Sequence, residues 1–285
     1  MKEENTSTWM VRDVLCRSIL GAEIPYYTLG TGKRAVLYVG GVRGDEGALG
    51  AVLEAFVGQV NLLAMRGGSA FERPVRELLA SRRLVVVPCL NPDGISYRET
   101  GVAAENPIAD RVRAILGEAS LAEWRANARG VALDKNFNSG HASAVKGAWA
   151  ACVYGAHPAL WCGEYPESEP ESAALARLAR GIGEDLLGVL EFSFGGEEIR
   201  CSCAEKLSAK TLGAGRILAR ATGLPLTTPT QTPASGGFFD WCLDELSRPA
   251  YRVCIKPPAH TAPARIADVV YERLAKALFT FPFMV

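Results

Sequence analysis

Short apolar runs rich in β-branched residues alternate along the chain with longer stretches whose apolar positions recur at helical spacing. Ala35 to Val39 (AVLYV), Leu84 to Val87 (LVVV) and Leu187 to Phe192 (LGVLEF) read as buried strands, punctuated by Gly, Pro or Asn. Asp45 to Ala64 reads as a helix with acidic residues in its first turn. The stretch PESEPESAALARLARGIG predicts a second helix, with Ser168 and Glu171 at capping-box spacing ahead of an apolar periodic run. A third helix is expected from near Ser235 through FFDWCLDEL, and a C-terminal one over about Ala264 to Leu278. Strands alternating with helices imply one α/β domain spanning 1–285, with a mixed, largely parallel sheet covered by helices on both faces. Ligands of such sheets bind outside the carboxyl ends of the strands, so the loops after Val39, Val87 and Phe192 are where chemistry is expected.

Composition narrows the function classes. The 285 residues carry 31 Lys and Arg against 31 Asp and Glu, a formal net charge of zero. That balance leaves no electrostatic footprint for nucleic acid or an anionic membrane surface, and neither is expected as a partner. The N-terminal stretch has no apolar segment of the signal-peptide kind, and no uninterrupted apolar run approaches a membrane span. Eight cysteines scattered through a long chain read as reduced thiols, and a cytoplasmic protein is expected.

Six segments occur in order on or beside the expected loops: GGVRGDEG from Gly40, NPDG from Asn91, WRANARGVALDKNF from Trp124, SEPES from Ser168, LEFSFGGEEI from Leu190, and ASGGFFDWCLDELSRPAYRVCI from Ala234. Together they resemble the zinc carboxypeptidases over roughly residues 25 to 280, nearest to the bacterial branch that cleaves γ-D-glutamyl-diamino-acid bonds of peptidoglycan stem peptides. NPDG alone carries little weight, being also an ordinary turn sequence. The resemblance implies a carboxypeptidase-like fold, zinc as the family cofactor and a peptide-like ligand.

The resemblance also implies that the reactive residues have changed. It places the zinc ligands at Arg43, Glu46 and Ser193, of which Glu46 is the acid the family uses and the other two replace histidines. The general-base carboxylate falls at Cys254, and the residue that polarises the scissile carbonyl is retained as Arg125. The family's G-V-D-x-N-R-N-F becomes GVALDKNF, so its orienting Asp, its Asn and its carboxylate-binding Arg correspond to Ala132, Asp134 and Lys135. A catalytic zinc needs three N, O or S ligands and an open water position. Arg43 stays protonated and cannot ligate, and a serine hydroxyl is a poor ligand. No bound metal is therefore expected. Arg43 is expected to supply the lost positive charge to Glu46, the alternative being a solvent-facing Arg43 above a helix-capping Glu46. Lys135 keeps a charge without a bidentate fork, and Asp134 adds an acceptor that favours an ammonium group.

Other chemistries find less support. His141, His157 and His260 lack helical i, i+4 spacing to one another, and Cys201 and Cys203 stand closer than structural-zinc pairs do, so surface-loop histidines and ordinary thiols are expected. Cys254 reads as a buried thiol, a nucleophile or a redox-sensitive residue. There is no G-x-S-x-G, and Gly30 and Gly32 precede a strand instead of following one. Two functions stand: a catalytically degenerate carboxypeptidase-like protein that binds a peptide or peptidoglycan-type ligand, or an enzyme with a rebuilt metal site or a Cys254 thiol.

Overall fold

The computed structural model describes residues 9–103, 105–201, 208–228 and 236–285. The chain opens with an antiparallel pair, β1 (Met10–Arg17) and β2 (Glu23–Leu29), followed by β3 (Arg34–Val39) and α1 (Gly47–Arg66). A two-residue ladder, β4 (Ser69–Ala70) with β5 (Arg73–Pro74), precedes α2 (Val75–Ser81), β6 (Arg82–Val87), α3 (Pro92–Thr100) and α4 (Ala109–Leu116). Next come α5 (His141–Ala150), α6 (Pro170–Ile182), β7 (Leu186–Phe194), β8 (Glu198–Cys201) and α7 (Ala209–Thr222). The chain ends with β9 (Leu226–Thr227), α8 (Phe238–Asp244), β10 (Ala250–Ile255) and α9 (Pro263–Met284).

Eight strands form one sheet in the order β1-β2-β6-β3-β7-β10-β8-β9. Its centre, β6-β3-β7-β10, is parallel throughout, and β2 and β8 join it antiparallel. The central strands are buried on both faces, which is why they appear in the sequence as unbroken apolar runs. One face (Val36, Tyr38, Leu190, Phe192, Val253) packs on α1, α2, α7 and α9. The other (Leu37, Val39, Val87, Val189, Ala250) packs on α6, α8 and Phe137. Burial of large apolar side chains at about 1.5–3 kcal/mol each is the main drive for this three-layer arrangement.

α1 is long and apolar enough by length and composition to cross a membrane, but Glu54 and Gln59 interrupt it and Leu49, Val52, Leu53, Phe56, Val57 and Val60 form a buried core face. Three expectations shift, the first of them in α1. Its first turn holds no acid, because Glu46 is the residue before it and makes no cap. The capping box of α6 does not form either: Ser168 Oγ accepts from Asn136 Nδ2 at 2.9 Å and Glu171 turns toward Asn127, so Pro170 opens the helix without a side-chain cap. The C-terminal helix runs past Leu278 to Met284, and its Phe279 and Phe281 insert under the sheet, where Tyr38 Oη donates to Leu278 O at 2.9 Å. The expected start of α8 near Ser235 lies outside the described residues, and the helix is seen from Phe238.

Candidate functional site

The parallel strands β3, β6, β7 and β10 point their carboxyl ends the same way, and the loop after β3 crosses those ends. Asn91 locks that loop in place. Its Nδ2 donates to Val42 O (3.2 Å) and Ala126 O (3.1 Å), while its Oδ1 accepts from Gly94 N–H at 3.0 Å. Gly44 N–H donates to Arg125 O at 3.0 Å, and a Cβ at this position would fall 2.7 Å from Trp124 O. The glycine is thus required for close approach. NPDG is a splint between two site loops as well as a turn.

Glu46 lies fully buried under Arg43. Its Oε1 accepts from Ser193 Oγ at 2.7 Å and from Phe194 N–H at 3.2 Å, and its Oε2 accepts from Arg43 N–H at 3.0 Å. The Arg43 guanidinium closes the arrangement, with Nε 3.2 Å from Glu46 Oε1 and 3.0 Å from Asp45 Oδ1, and with Nη2 donating to Phe194 O. Burial works against the arginine's charge, but Glu46 and Asp45 beside it hold its pKa above the ordinary value. Burial pushes the Glu46 carboxyl up to about 7, against the downward pull of Arg43 and the Ser193 hydroxyl. Asp45 extends the network outward, its Oδ2 lying 3.1 Å from Nε of the half-exposed Arg125.

A cleft of about 290 Å³ lies over this network, lined by Arg43, Arg125, Asp134, Lys135, Arg200 and Arg252 together with Ala159, Leu160, Phe239 and Asp240. Arg252 is set in β10 directly beside Glu191 of β7, with Nη2 2.8 Å from Glu191 Oε1 and the guanidinium 4.6 Å from the Phe239 ring centroid. Burial raises the pKa of Glu191 and Arg252 lowers it, leaving a net rise. Cys254 is paired in register with Ser193 and is 6% exposed. Burial pushes its thiol up, although Arg252 and Arg200 pull it down. A thiol held protonated is a poor nucleophile.

The structure therefore brings six of the seven expected site residues together in two tiers, while Cys254 is buried on β10 in register with Ser193. Arg43, Arg125, Asp134 and Lys135 form the cleft surface, and Glu46 and Ser193 lie beneath Arg43. The solvent-facing alternative for Arg43 and the capping alternative for Glu46 are both excluded by these contacts. The donor set does not fit zinc. A guanidinium fills the mouth of the site, both Glu46 oxygens are engaged by the protein's own donors, and Ser193 offers only a hydroxyl already given to Glu46. No group of three His, Cys, Asp or Glu suited to a metal occurs among the described residues. The histidines are spread out, and one departs from expectation. His141 is a buried residue of α5 with Nε2 3.0 Å from Cys162 O, whereas His157 Nδ1 accepts from Ala159 and Leu160 N–H and His260 is exposed. Cys203, half of the Cys201 pair, lies outside the described residues.

Sequence reasoning missed Asp45 as the bridge between two arginines and the Glu191–Arg252 pair at the floor. The pair had a signal: a charge in the buried run LGVLEF and another in AYRVCI each break an otherwise apolar strand.

Comparison with known proteins agrees with this fold. The profile of a family described as zinc carboxypeptidase matches residues 14–199. No curated protein matches the chain. Among solved structures, thrombin-activatable fibrinolysis inhibitor superposes with a TM-score of 0.71 at 17% identity, covering 98% of this chain and 70% of that one. Carboxypeptidase A from Helicoverpa armigera gives 0.68 at 19%, covering 96% and 69%. Murein-tripeptide amidase MpaA from Escherichia coli O157 gives 0.56 at 24%, covering 96% and 90%.

Proposed function

The chain belongs to the zinc carboxypeptidase family, and from that premise we propose that it uses the family's cleft to bind a carboxylate-bearing peptide without hydrolysing it. One observation carries this reading: the Arg43 guanidinium, tied to Glu46, Asp45 and Phe194 O, takes up the donors a cation would need. Without a metal-bound water there is nothing for a base at Cys254 to activate. Recognition groups persist around it, with Lys135 and Asp134 side by side on the cleft wall to meet a carboxylate and an ammonium group. A structure sharing the fold is a murein-tripeptide amidase, which makes a peptidoglycan-type stem peptide the first ligand to try. A cytoplasmic setting belongs to the same proposal, supported by the free thiols of every cysteine among the described residues.

Calorimetric titration with a stem tripeptide, and with the same peptide amidated at its C-terminus, tests the reading. Binding should weaken on amidation and in Lys135→Met, and prolonged incubation should yield no cleavage product. Chelator-sensitive cleavage by the wild-type protein, lost in Glu46→Ala, would overturn it.

A further inference from the structure

A second cavity, of about 530 Å³, lies apart from the cleft and is lined by Trp149, Tyr154, Trp161 and Tyr165 together with Arg111, Arg129, Glu164 and Glu169. It shares a wall with the cleft: Ala159 and Leu160 line one and Trp161 the other. Its size falls within the roughly 300–1,000 Å³ of ordinary small-molecule sites.

The aromatic content is concentrated there. Among the described residues the exposed large aromatics are Phe71, Trp149, Tyr154, Tyr165 and Phe283, and three of these five border this one cavity. Leaving Trp149 and Tyr154 52% and 71% exposed forgoes burial that rings of this size normally gain in a core. None of the four rings pairs with another ring or with a cation among the described residues. Among the described residues neither indole N–H and neither phenol hydroxyl meets a partner, which leaves four polar ring groups to face the cavity.

Charge selects among ligands. Glu169, 4% exposed, lines the cavity with Oε2 held by Asn127 Nδ2 at 2.7 Å and 3.2 Å from Arg129 Nε. The Arg129 Nε is itself buried and meets no oxygen in hydrogen-bonding alignment. Arg129 and Glu169 are paired with each other, and Arg111 and Glu164 carry opposite charges, so the lining has no net charge with which to favour a cation or an anion. A neutral ring with an apolar C–H face and a rim of hydroxyls, which donate and accept at once, suits both the rings and the mixed charges. We propose that this cavity is a binding site for a short, uncharged oligosaccharide, with Trp149, Tyr154 and Tyr165 as stacking platforms and Arg129 and Glu164 as hydrogen-bonding partners for its hydroxyls.

Titration of the full chain with chitotriose and, separately, maltotriose, followed by tryptophan fluorescence and calorimetry, tests this. At least one trisaccharide should bind saturably in the millimolar range or below. Trp149→Ala and Tyr154→Ala should each weaken it about tenfold or more, the loss of roughly one stacked ring. Both positions are on the surface, so an unchanged melting temperature separates lost binding from lost folding. Lys135→Met in the neighbouring cleft should leave sugar affinity intact, so the oligosaccharide site and the peptide-binding reading stand or fall separately. Failure of both sugars to saturate overturns the proposal, as does unchanged affinity in Trp149→Ala. Preferential binding of tetramethylammonium or of adenosine monophosphate at the same rings also overturns it, identifying a cation cage or a nucleotide pocket instead.

Discussion

Arg43 and Glu46 illustrate how a buried charge is made tolerable. Taking a carboxylate out of water costs several kcal/mol unless cations and donors replace the lost solvent. Glu46 receives its replacements from Arg43, Ser193 Oγ–H and the amide of Phe194. Removing the arginine should therefore be more costly than removing the pair. Arg43→Ala is expected to lose about 3–5 kcal/mol, while Arg43→Ala combined with Glu46→Ala should recover much of that. The penalty should also depend on pH. Burial already raises the Glu46 carboxyl from its ordinary 4.5 to about 7, and loss of Arg43 raises it further. A carboxyl whose pKa is higher folded than unfolded contributes stability below about 4.5 that fades as pH rises through the folded value. Urea denaturation of Arg43→Ala at pH 5.5 and at pH 8 should show the larger loss at pH 8. Equal losses at both values would mean that Glu46 is not the group left uncompensated. The sequence revealed this pair because a family position held the wrong residue type, whereas Asp45 gave no comparable signal: an acid before a helix is ordinary.

At the scale of elements, the sheet's centre was legible and its margins were not. β3, β6 and β7 are buried on both faces and so spell continuous apolar runs, but β1, with the sequence MVRDVLCR, is mostly exposed and offers a weak pattern. The capping box failed for a related reason: Ser168 and Glu171 find tertiary partners in Asn136 and Asn127, and local spacing cannot anticipate these. Across β7 and β10 the Glu191–Arg252 pair fastens two central strands at the floor of the cleft. Arg252→Met should cost about 3–5 kcal/mol, since the buried Glu191 loses the cation paired with it. Adding Glu191→Leu should restore much of it, because an apolar pair of similar volume suits that layer. Equilibrium urea unfolding of the two variants checks both expectations. A double variant no more stable than Arg252→Met would show that the pair has a packing role beyond charge.

For the whole molecule, fold and site are separable. The loop that carries Arg43 is positioned by Asn91, by Gly44 against Trp124 and by the parallel strands beneath, none of which involves the Arg43 side chain. This separation is also why the fold could be read from ordered motifs while the aromatic cavity, assembled from the 111–169 region by tertiary packing, could not. If backbone placement is independent of the replaced side chains, the site should be convertible. Arg43→His removes the guanidinium from Glu46 and from Phe194 O, and Ser193→His adds a second imidazole next to the same carboxylate. With Glu46 that makes three good ligands and an open position, enough for zinc. The double variant, purified without a histidine tag, should carry about one zinc per chain by elemental analysis and gain melting temperature with added zinc, as any ligand selective for the native state requires. Ala132→Asp in the same background should tighten binding by about 10–100-fold, the usual worth of a carboxylate that orients a ligating histidine. A double variant that folds with the wild-type circular dichroism spectrum yet stays free of zinc would show that positions 43, 46 and 193 do not share one coordination sphere. The assignment of these positions to the family's ligands would then fail, even though the fold had been identified correctly.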